Sequence, residues 1–200
     1  MKIQKFDNNE DWLEARHGKI TGTKLKDIIV KRGTGKKIGF YQLIADRLAI
    51  VDDENPMERG HRLEAEAIDR LTENVGIEFN KDLVIITRDD NDSIAWSPDG
   101  YTDDMKYGAE VKCLKSALHL QAYIEKKIPS EYIEQTIQPF IVNDKLQKLF
   151  VVFYDPRIMS LPFHYIEITR SDVEGEVEEY KAYEEETLNE VNAWVEKLAW

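Results

Sequence analysis

The sequence predicts an α/β domain in which a mixed central β-sheet is flanked by helices on both sides. Three observations support this. Apolar residues recur at helical spacing before residue 76 and again after residue 172. Short segments bounded by turn residues fill positions 82–113. A largely apolar segment, residues 148–154, has the composition of a central strand. No linker, repeat or low-complexity tract interrupts residues 1–200, so we expect one domain.

Helices account for most of the first 75 residues. Asn8, Asn9 and Asp11 can cap a short helix that runs to Arg16, and Thr21 or Thr23 can cap a second one that runs toward Val30. Residues 33–35 are predicted to form a loop and residues 36–50 a helix. A further helix is predicted for residues 59–75, where apolar side chains recur every four residues.

Strands dominate the middle of the chain and helices its end. We expect strands at about 82–87, 93–97, 100–104 and 107–113, with hairpin turns at 89–92 and 98–100. Helices should follow at roughly 115–126 and 130–143, and strands at 148–154 and about 163–169. Ser171 and Glu174 have the spacing of a capping box, which predicts that a long helix begins there.

Composition excludes several classes of protein. The single cysteine, Cys113, rules out a disulfide framework and a cysteine-ligated iron–sulphur cluster. No apolar run is long enough for a membrane span, and the first residues lack the apolar region of a signal peptide, so we expect a cytoplasmic protein. The four histidines lack metal-ligand spacing. Gly33-Thr34-Gly35-Lys36 fails the spacing of a phosphate-binding loop.

Charge is distributed unevenly along the chain. The net charge of −12 would repel nucleic acid as a uniform field. Residues 16–37, however, carry eight Lys or Arg and one Asp, whereas residues 167–190 carry ten Asp or Glu and two basic residues. One basic and one acidic side suit a protein that admits DNA on one side only. Two solvated helices of opposite charge would produce the same pattern.

The candidate chemistry lies in residues 97–113. Asp99 stands in a Ser-Pro-Asp-Gly turn, and Glu110 and Lys112 flank one residue of the next predicted strand. Side chains alternate along a strand, so Glu110 and Lys112 share a face, and a hairpin-like return would bring Asp99 beside them. Two carboxylates and an ammonium group form a hard-oxygen site for Mg²⁺, which is typical of metal-dependent nucleases. An exposed Glu-x-Lys pair on an edge strand is the simpler alternative.

Several segments, taken in order, resemble the YqaJ-like viral recombinases, which are phage lambda-type alkaline exonucleases of the PD-(D/E)xK nuclease superfamily. Asp99, Glu110 and Lys112 match the superfamily motif. The resemblance rests on four further segments: Trp12 to Thr23 (W-x(3)-R-x-G-x-I-T-x-[ST]), Gly60 to Ala67 (G-x(3)-E-x(2)-A), Tyr132 to Gln135 (Y-x(2)-Q), and Tyr154 to Arg157. Thr23 stands where lambda-type enzymes have Ser, so the hydroxyl is kept.

The resemblance implies a restriction-endonuclease-like core and assigns roles to particular residues. Asp99, Glu110 and the carbonyl of Val111 would hold Mg²⁺, with Mn²⁺ as a substitute, and Lys112 would act on the attacking water. Glu64 would reach a second metal position or that water. Gln135 would orient the phosphate, with Gln138 as the alternative. Glu64 and Gln135 could instead be ordinary polar residues of their helices.

The resemblance also implies a substrate and partners. It implies an enzyme that digests double-stranded DNA 5′→3′ from 5′-phosphorylated ends, with Arg16, Thr23 and Ser97 binding the terminal phosphate. The product would be a 3′ single strand for a single-strand annealing protein, made by a homotrimer of phage or prophage origin in a bacterial host. A structure- or site-specific endonuclease and a catalytically idle DNA-end-binding subunit remain alternatives, as does a monomer or dimer that cuts distributively.

Overall fold

The computed structural model describes residues 35–48, 56–91 and 93–198. The helices predicted before Val30 therefore lie outside the described residues, as do Arg16 and Thr23. The described helices are α1 (Ile38–Leu48), α2 (Pro56–Val75), α3 (Ser116–Glu125), α4 (Ile133–Val142) and α5 (Glu174–Leu198). The strands are β1 (Ile86–Thr87), β2 (Ala95–Trp96), β3 (Gly100–Tyr101), β4 (Tyr107–Lys112), β5 (Lys148–Tyr154) and β6 (Phe163–Thr169).

A mixed four-stranded sheet of order β3-β4-β5-β6 forms the centre. β4 and β5 run parallel, with Glu110 opposite Val151 and Lys112 opposite Phe153, while β3 and β6 pair antiparallel at the two edges. Parallel neighbours need a crossover connection, and residues 113–147 supply it with α3 and α4. The fold class predicted from the sequence is confirmed.

Helices cover both faces of this sheet, which explains why β5 is apolar throughout its buried length. On one face α2 packs against β4 and β5, and on the other α4 and α5 form a cluster with β5, β6 and Trp96 of β2. The first cluster contains Leu63, Ala67, Ile68, Leu71, Ala109, Val111, Phe150 and Val152. The second contains Trp96, Ile137, Phe140, Ile141, Leu149, Val151, Phe153 and Val177. α1 packs separately against α3, where Tyr41 donates to Glu125 at 2.5 Å.

The hairpin predicted around Pro98-Asp99-Gly100 is wrong. β2 pairs with β1 in a separate two-stranded sheet, whereas β3 pairs with β4 in the main sheet. The segment 97–99 therefore connects two sheets, and the buried Pro98 has no N–H with which to extend a ladder. Three strands are shorter than predicted. The strand predicted at 82–87 comprises only Ile86–Thr87, the one at 93–97 only Ala95–Trp96, and the one at 100–104 only Gly100–Tyr101.

The predicted capping box at Ser171 and Glu174 is also wrong. A 3₁₀ turn, Arg170–Asp172, precedes α5, and its cap is Thr169. The Asp172 carboxylate accepts from the Thr169 backbone N–H at 2.8 Å and from its hydroxyl at 2.6 Å. Thr169 and Asp172 are three residues apart, as a capping box requires, so the motif is present but two residues earlier.

Candidate active site

Asp99 is fixed to β4 by two hydrogen bonds. Its Oδ2 accepts from the backbone N–H of Val111 at 2.6 Å, and its own N–H donates to the carbonyl of Ala109 at 3.2 Å. β3 begins at the next residue and pairs antiparallel with β4, so the link from β2 delivers Asp99 to the strand that carries Glu110. The predicted approach of the first carboxylate to the second is therefore present, although the turn that produces it differs.

Glu110 and Lys112 share the face of β4 that looks toward α4. Their side chains are 12% and 13% exposed, and Lys112 Nζ lies 3.2 Å from Glu110 Oε2. The other carboxylate oxygen, Oε1, accepts from the indole N–H of Trp96 at 2.8 Å. The Lys112 ammonium lies 5.5 Å from the ring centroid of Tyr132, within cation–π distance. The edge-strand alternative is wrong, because β4 lies between β3 and β5 and both side chains are largely buried.

Carboxylates crowd around Asp99. Burial, then the neighbouring Glu110 and, more weakly, Glu64 raise the pKa of Asp99 to about 6, while the Val111 N–H and Lys112 act in the opposite direction. The charge of Glu64, on α2, therefore also acts on Asp99. Of the four residues that the sequence placed in one site, hydrogen bonds and an ion pair along β4 bring Asp99, Glu110 and Lys112 together.

The family model of the YqaJ-like viral recombinase domain matches residues 11–145, which is more than half of the chain. The chain belongs to this family. The match includes Glu64, Asp99, Glu110 and Lys112, so all four residues fall within the YqaJ domain. No curated protein matches the chain in sequence.

Two solved structures resemble this YqaJ protein over almost its whole length. The structure of LHK-Exo in complex with dAMP has a TM-score of 0.60 and 26% identity, and the match covers 96% of this chain and 98% of that one. A second structure of LHK-Exo, an alkaline exonuclease from Laribacter hongkongensis, has a TM-score of 0.55 and 25% identity, with 95% and 100% covered. Family and neighbours support a nuclease, and specifically an exonuclease.

The donors in the YqaJ site suit a hard divalent cation. Among the described residues, no group of three or more His, Cys, Asp or Glu side chains is placed to hold a metal ion. Mg²⁺, however, is usually bound by one or two carboxylates together with water and substrate phosphate, and Asp99 and Glu110 are two such carboxylates. Burial and then the charge of Glu110 raise the pKa of Asp99, and the positive charge of a bound cation would offset both effects.

The two candidate glutamines occupy different environments. Gln135 is exposed in the first turn of α4, one helical turn beyond Tyr132, which lies over Lys112. Gln138 donates to the carbonyl of Ala95 at 3.3 Å and also bonds to Glu184, so it ties α4 to β2 and α5. Gln135 is the freer of the two to meet a substrate, whereas Gln138 has a structural role.

Ser97 lies two residues before Asp99, on the link between β2 and β3. It is exposed, and its hydroxyl donates to the carbonyl of Val84 at 2.9 Å. A hydroxyl can accept as well as donate, so this contact leaves Ser97 able to interact with a ligand. Its predicted partners at the 5′-phosphate, Arg16 and Thr23, lie outside the described residues.

Tyr132 opens the Y-x(2)-Q segment, whereas Trp96 is a site neighbour that no motif singled out. Gly108 is the sequence feature that could have indicated Trp96. It stands two residues before Glu110 and therefore lies on the same face of β4. A Cβ at Gly108 would lie 2.6 Å from Trp96 Cη2, so the missing side chain is what admits the indole. A glycine at that position could have indicated that a large group from elsewhere covers β4.

A buried ionic cluster fixes the chain just beyond Lys112. Asp155, 1% exposed at the end of β5, accepts from the Ser116 hydroxyl at 2.6 Å and from Arg157 Nε at 2.7 Å. Arg157 also donates to the carbonyl of Leu114 at 3.1 Å. These hydrogen bonds and the positive charge of Arg157 hold the pKa of Asp155 below its usual value despite burial. The segment recognised as Tyr154 to Arg157 thus holds the end of β4 against α3.

Proposed function

We propose that this YqaJ protein is a Mg²⁺-dependent exonuclease that digests double-stranded DNA 5′→3′ and leaves a 3′ single strand. The observation that carries the proposal is the placement of Asp99, Glu110 and Lys112 side by side in a YqaJ domain. The LHK-Exo complex with dAMP supports exonucleolytic cleavage, because a nucleoside monophosphate is what removal of one terminal nucleotide releases.

Phosphodiester hydrolysis needs an attacking water, neutralisation of charge on the phosphate and help for the leaving 3′-oxygen. Asp99, Glu110 and the carbonyl of Val111 would hold Mg²⁺, or Mn²⁺ in its place. When bound, the ion supplies Lewis acidity that lowers the pKa of water and neutralises phosphate charge.

Lys112 supplies positive charge at the point where the water loses its proton. Its ammonium is held between the Glu110 carboxylate and the Tyr132 ring, so it is oriented before substrate arrives. A cation beside the water favours the hydroxide form. Glu64 would accept a proton from the water or help to hold a second cation, and Gln135 would orient the scissile phosphate by donating from its amide.

One assay separates this proposal from its two alternatives. Linear 5′-phosphorylated duplex and closed circular duplex would be incubated with the protein and Mg²⁺, with chelator as control. The proposed exonuclease degrades only the linear DNA and is inactive in chelator. Cleavage of the circle would indicate a structure- or site-specific endonuclease. Retention of linear ends without cleavage would indicate a catalytically idle end-binding subunit.

We also propose that Arg16, Thr23 and Ser97 bind the 5′-phosphate. A guanidinium group fits two phosphate oxygens at once, and two hydroxyls add donors. Arg16→Ala should abolish the preference for 5′-phosphate over 5′-hydroxyl ends. Arg16→Lys keeps the positive charge but loses the two-pronged guanidinium group, so it should retain only part of that preference. Equal rates on both ends with the wild-type protein would contradict the pocket.

The product suggests where such an enzyme works. A 3′ single strand is the substrate of a single-strand annealing protein, which we propose as the partner in recombination within the cytoplasm of a bacterial host of the phage or prophage. No helix in the described part of the chain is both long and apolar enough to cross a membrane.

A further inference from the structure

The Glu110 carboxylate is held at both oxygens before any ligand is present. Oε1 accepts from the Trp96 indole N–H at 2.8 Å, and Oε2 lies 3.2 Å from Lys112 Nζ. Lys112 also belongs to the superfamily motif, but Trp96 belongs to no motif that the sequence presented. Trp96 comes from β2, in the small two-stranded sheet, and therefore reaches the site from outside the sheet that carries Glu110.

We propose that Trp96 is a positioning residue whose indole N–H fixes the Glu110 carboxylate in the orientation in which it holds a divalent cation. This inference rests on the proposed function, because it assigns a role toward the same cation. Each carboxylate oxygen has two lone pairs. The indole and the ammonium group each use one, and the remaining lone pairs can bind a cation.

The fit of the Trp96 ring explains why the hydrogen bond is rigid. The residue is 5% exposed, and its ring lies against Gly108, where a Cβ would be only 2.6 Å from Cη2. The backbone of Trp96 is paired with Ile86 of β1. A ring confined by a glycine on one strand and a ladder on another can move little, so its N–H points to one place.

A fixed carboxylate binds a cation more tightly than a mobile one. A free Glu side chain must lose rotational freedom when it becomes a ligand, and a donor that holds it in place beforehand removes part of that cost. A hydrogen bond to a charged group contributes more free energy than one between neutral groups. We therefore expect its loss to weaken cation binding by about tenfold. The cation should still bind, since both carboxylates remain.

The sharpest variant changes only the N–H group. Replacing Trp96 with 3-benzothienylalanine puts sulphur where the indole nitrogen stands and keeps the shape of the ring, and Trp96→Phe removes the donor together with part of the ring. Ile94→Val is the matched control. Ile94 lies in the same buried cluster as Trp96, and the substitution trims that cluster without removing a side-chain hydrogen bond.

Mn²⁺ binding would be measured by electron paramagnetic resonance without DNA, alongside the melting temperature and the Mn²⁺ dependence of cleavage. We expect the benzothienyl protein to bind Mn²⁺ about tenfold more weakly with a nearly unchanged melting temperature, and to recover its cleavage rate at saturating Mn²⁺. Ile94→Val should lower the melting temperature but leave the Mn²⁺ dissociation constant unchanged.

Three results would overturn the inference in different ways. If the wild-type protein binds Mn²⁺ and cuts DNA but the benzothienyl protein binds Mn²⁺ equally well, Trp96 only packs, and the proposed function stands. If the wild-type protein neither binds Mn²⁺ nor cuts, the proposed function and the role of Trp96 fail together. Weaker binding in Ile94→Val as well would show that loss of packing, rather than loss of the N–H, causes the effect.

Discussion

Asp99 has a structural partner as well as a proposed catalytic role. Its Oδ2 accepts the Val111 N–H at 2.6 Å, so removing the whole carboxylate would leave a backbone donor of β4 without its acceptor. Asp99→Asn keeps an acceptor in the same place and removes only the charge. The Asn and Ala variants together therefore separate the chemistry from the structural contact.

We expect Asp99→Asn to slow cleavage by on the order of 10²-fold or more, since one electrostatic stabiliser is lost. Its melting temperature should not fall, because the raised pKa of Asp99 means that the buried charge costs stability at neutral pH. Asp99→Ala should show the same loss of cleavage and, relative to Asp99→Asn, lower the free energy of unfolding by about 1–3 kcal/mol. Glu110→Ala and Lys112→Ala should likewise abolish cleavage. Single-turnover rates and thermal denaturation check this, and a near-wild-type rate in Asp99→Asn would remove Asp99 from the metal site.

His164 links stability to pH at a distance from the catalytic residues. Burial, with a smaller contribution from His119, lowers the pKa of His164 to about 4, and its ring stacks on Phe153 with centroids 4.8 Å apart. The unfolded chain has the ordinary histidine pKa of about 6.5. Between these values the unfolded state binds more protons, so His164 reduces stability as the pH falls from 6.5 toward 4.

His164→Gln cannot titrate and should flatten this dependence. Between pH 7 and pH 4 the wild-type protein should lose on the order of 2 kcal/mol more than the variant, a figure that allows for partial exposure of the ring. Urea denaturation at several pH values measures the difference, and the carboxylates that also titrate are common to both proteins. Parallel pH profiles would show that the His164 ring is not desolvated as described.

At the scale of elements, the sequence predicted the long elements well and the short ones poorly. α1, α2, α3, α4, β5 and β6 lie within three residues of their predicted bounds, because each buries a periodic or continuous apolar surface. The strands predicted at 82–87, 93–97 and 100–104 depend instead on their pairing partners. Leu83 and Ile85 are 101% and 75% exposed, and the ladder begins only at Ile86.

The site residues also divide into those that local sequence predicts and those that depend on contacts between distant segments. Asp99, Glu110 and Lys112 follow from a motif and from the alternation of side chains along one strand, so local sequence was enough. Trp96 reaches Glu110 from the other sheet, and no periodicity within β4 reveals such a contact. Glu64 was placed by family resemblance, because its nearness to Asp99 depends on how α2 crosses the sheet.

Close packing between β4 and β2 gives a prediction about elements. A Cβ at Gly108 would lie 2.6 Å from a rigid indole, whereas one at Gly100 would meet the flexible end of Ile68 at 2.9 Å. Gly108→Ala should therefore cost about 1–3 kcal/mol as overpacking, and Gly100→Ala distinctly less. Denaturant unfolding of both variants tests this. Equal losses would mean that the indole yields as easily as an aliphatic side chain.

At the scale of the whole molecule, charge separates along the chain. α5 and the end of β6 carry most of the acidic excess of residues 167–190, and Glu185 from α5 pairs with the buried Arg88 at 2.9 Å. The basic excess lies in residues 16–37, of which Lys36 and Lys37 are described and exposed. A duplex approaching the Asp99–Glu110 site would be attracted by one region and repelled by the other.

We propose that the working particle is a homotrimeric ring with DNA in its channel. A chain of 23.3 kDa is too small to encircle a duplex alone, and an exonuclease that stays on its substrate needs a topological or multivalent hold. A head-to-tail interface that closes after three copies would produce the ring. Residues 16–37 could then face the channel and residues 167–190 the solvent, which would place each charge where duplex DNA requires it.

Light scattering at micromolar concentration tests the ring directly. Three times 23.3 kDa is about 70 kDa, and that mass should persist as salt is raised if apolar contacts close the interface. Cleavage should then be processive, so an excess of unlabelled duplex added after the start should leave digestion of labelled DNA almost unaffected. A mass of one chain with processive digestion would refute the ring as the source of processivity. A mass of one chain with distributive digestion would instead support the monomeric alternative, in which each cut is followed by release.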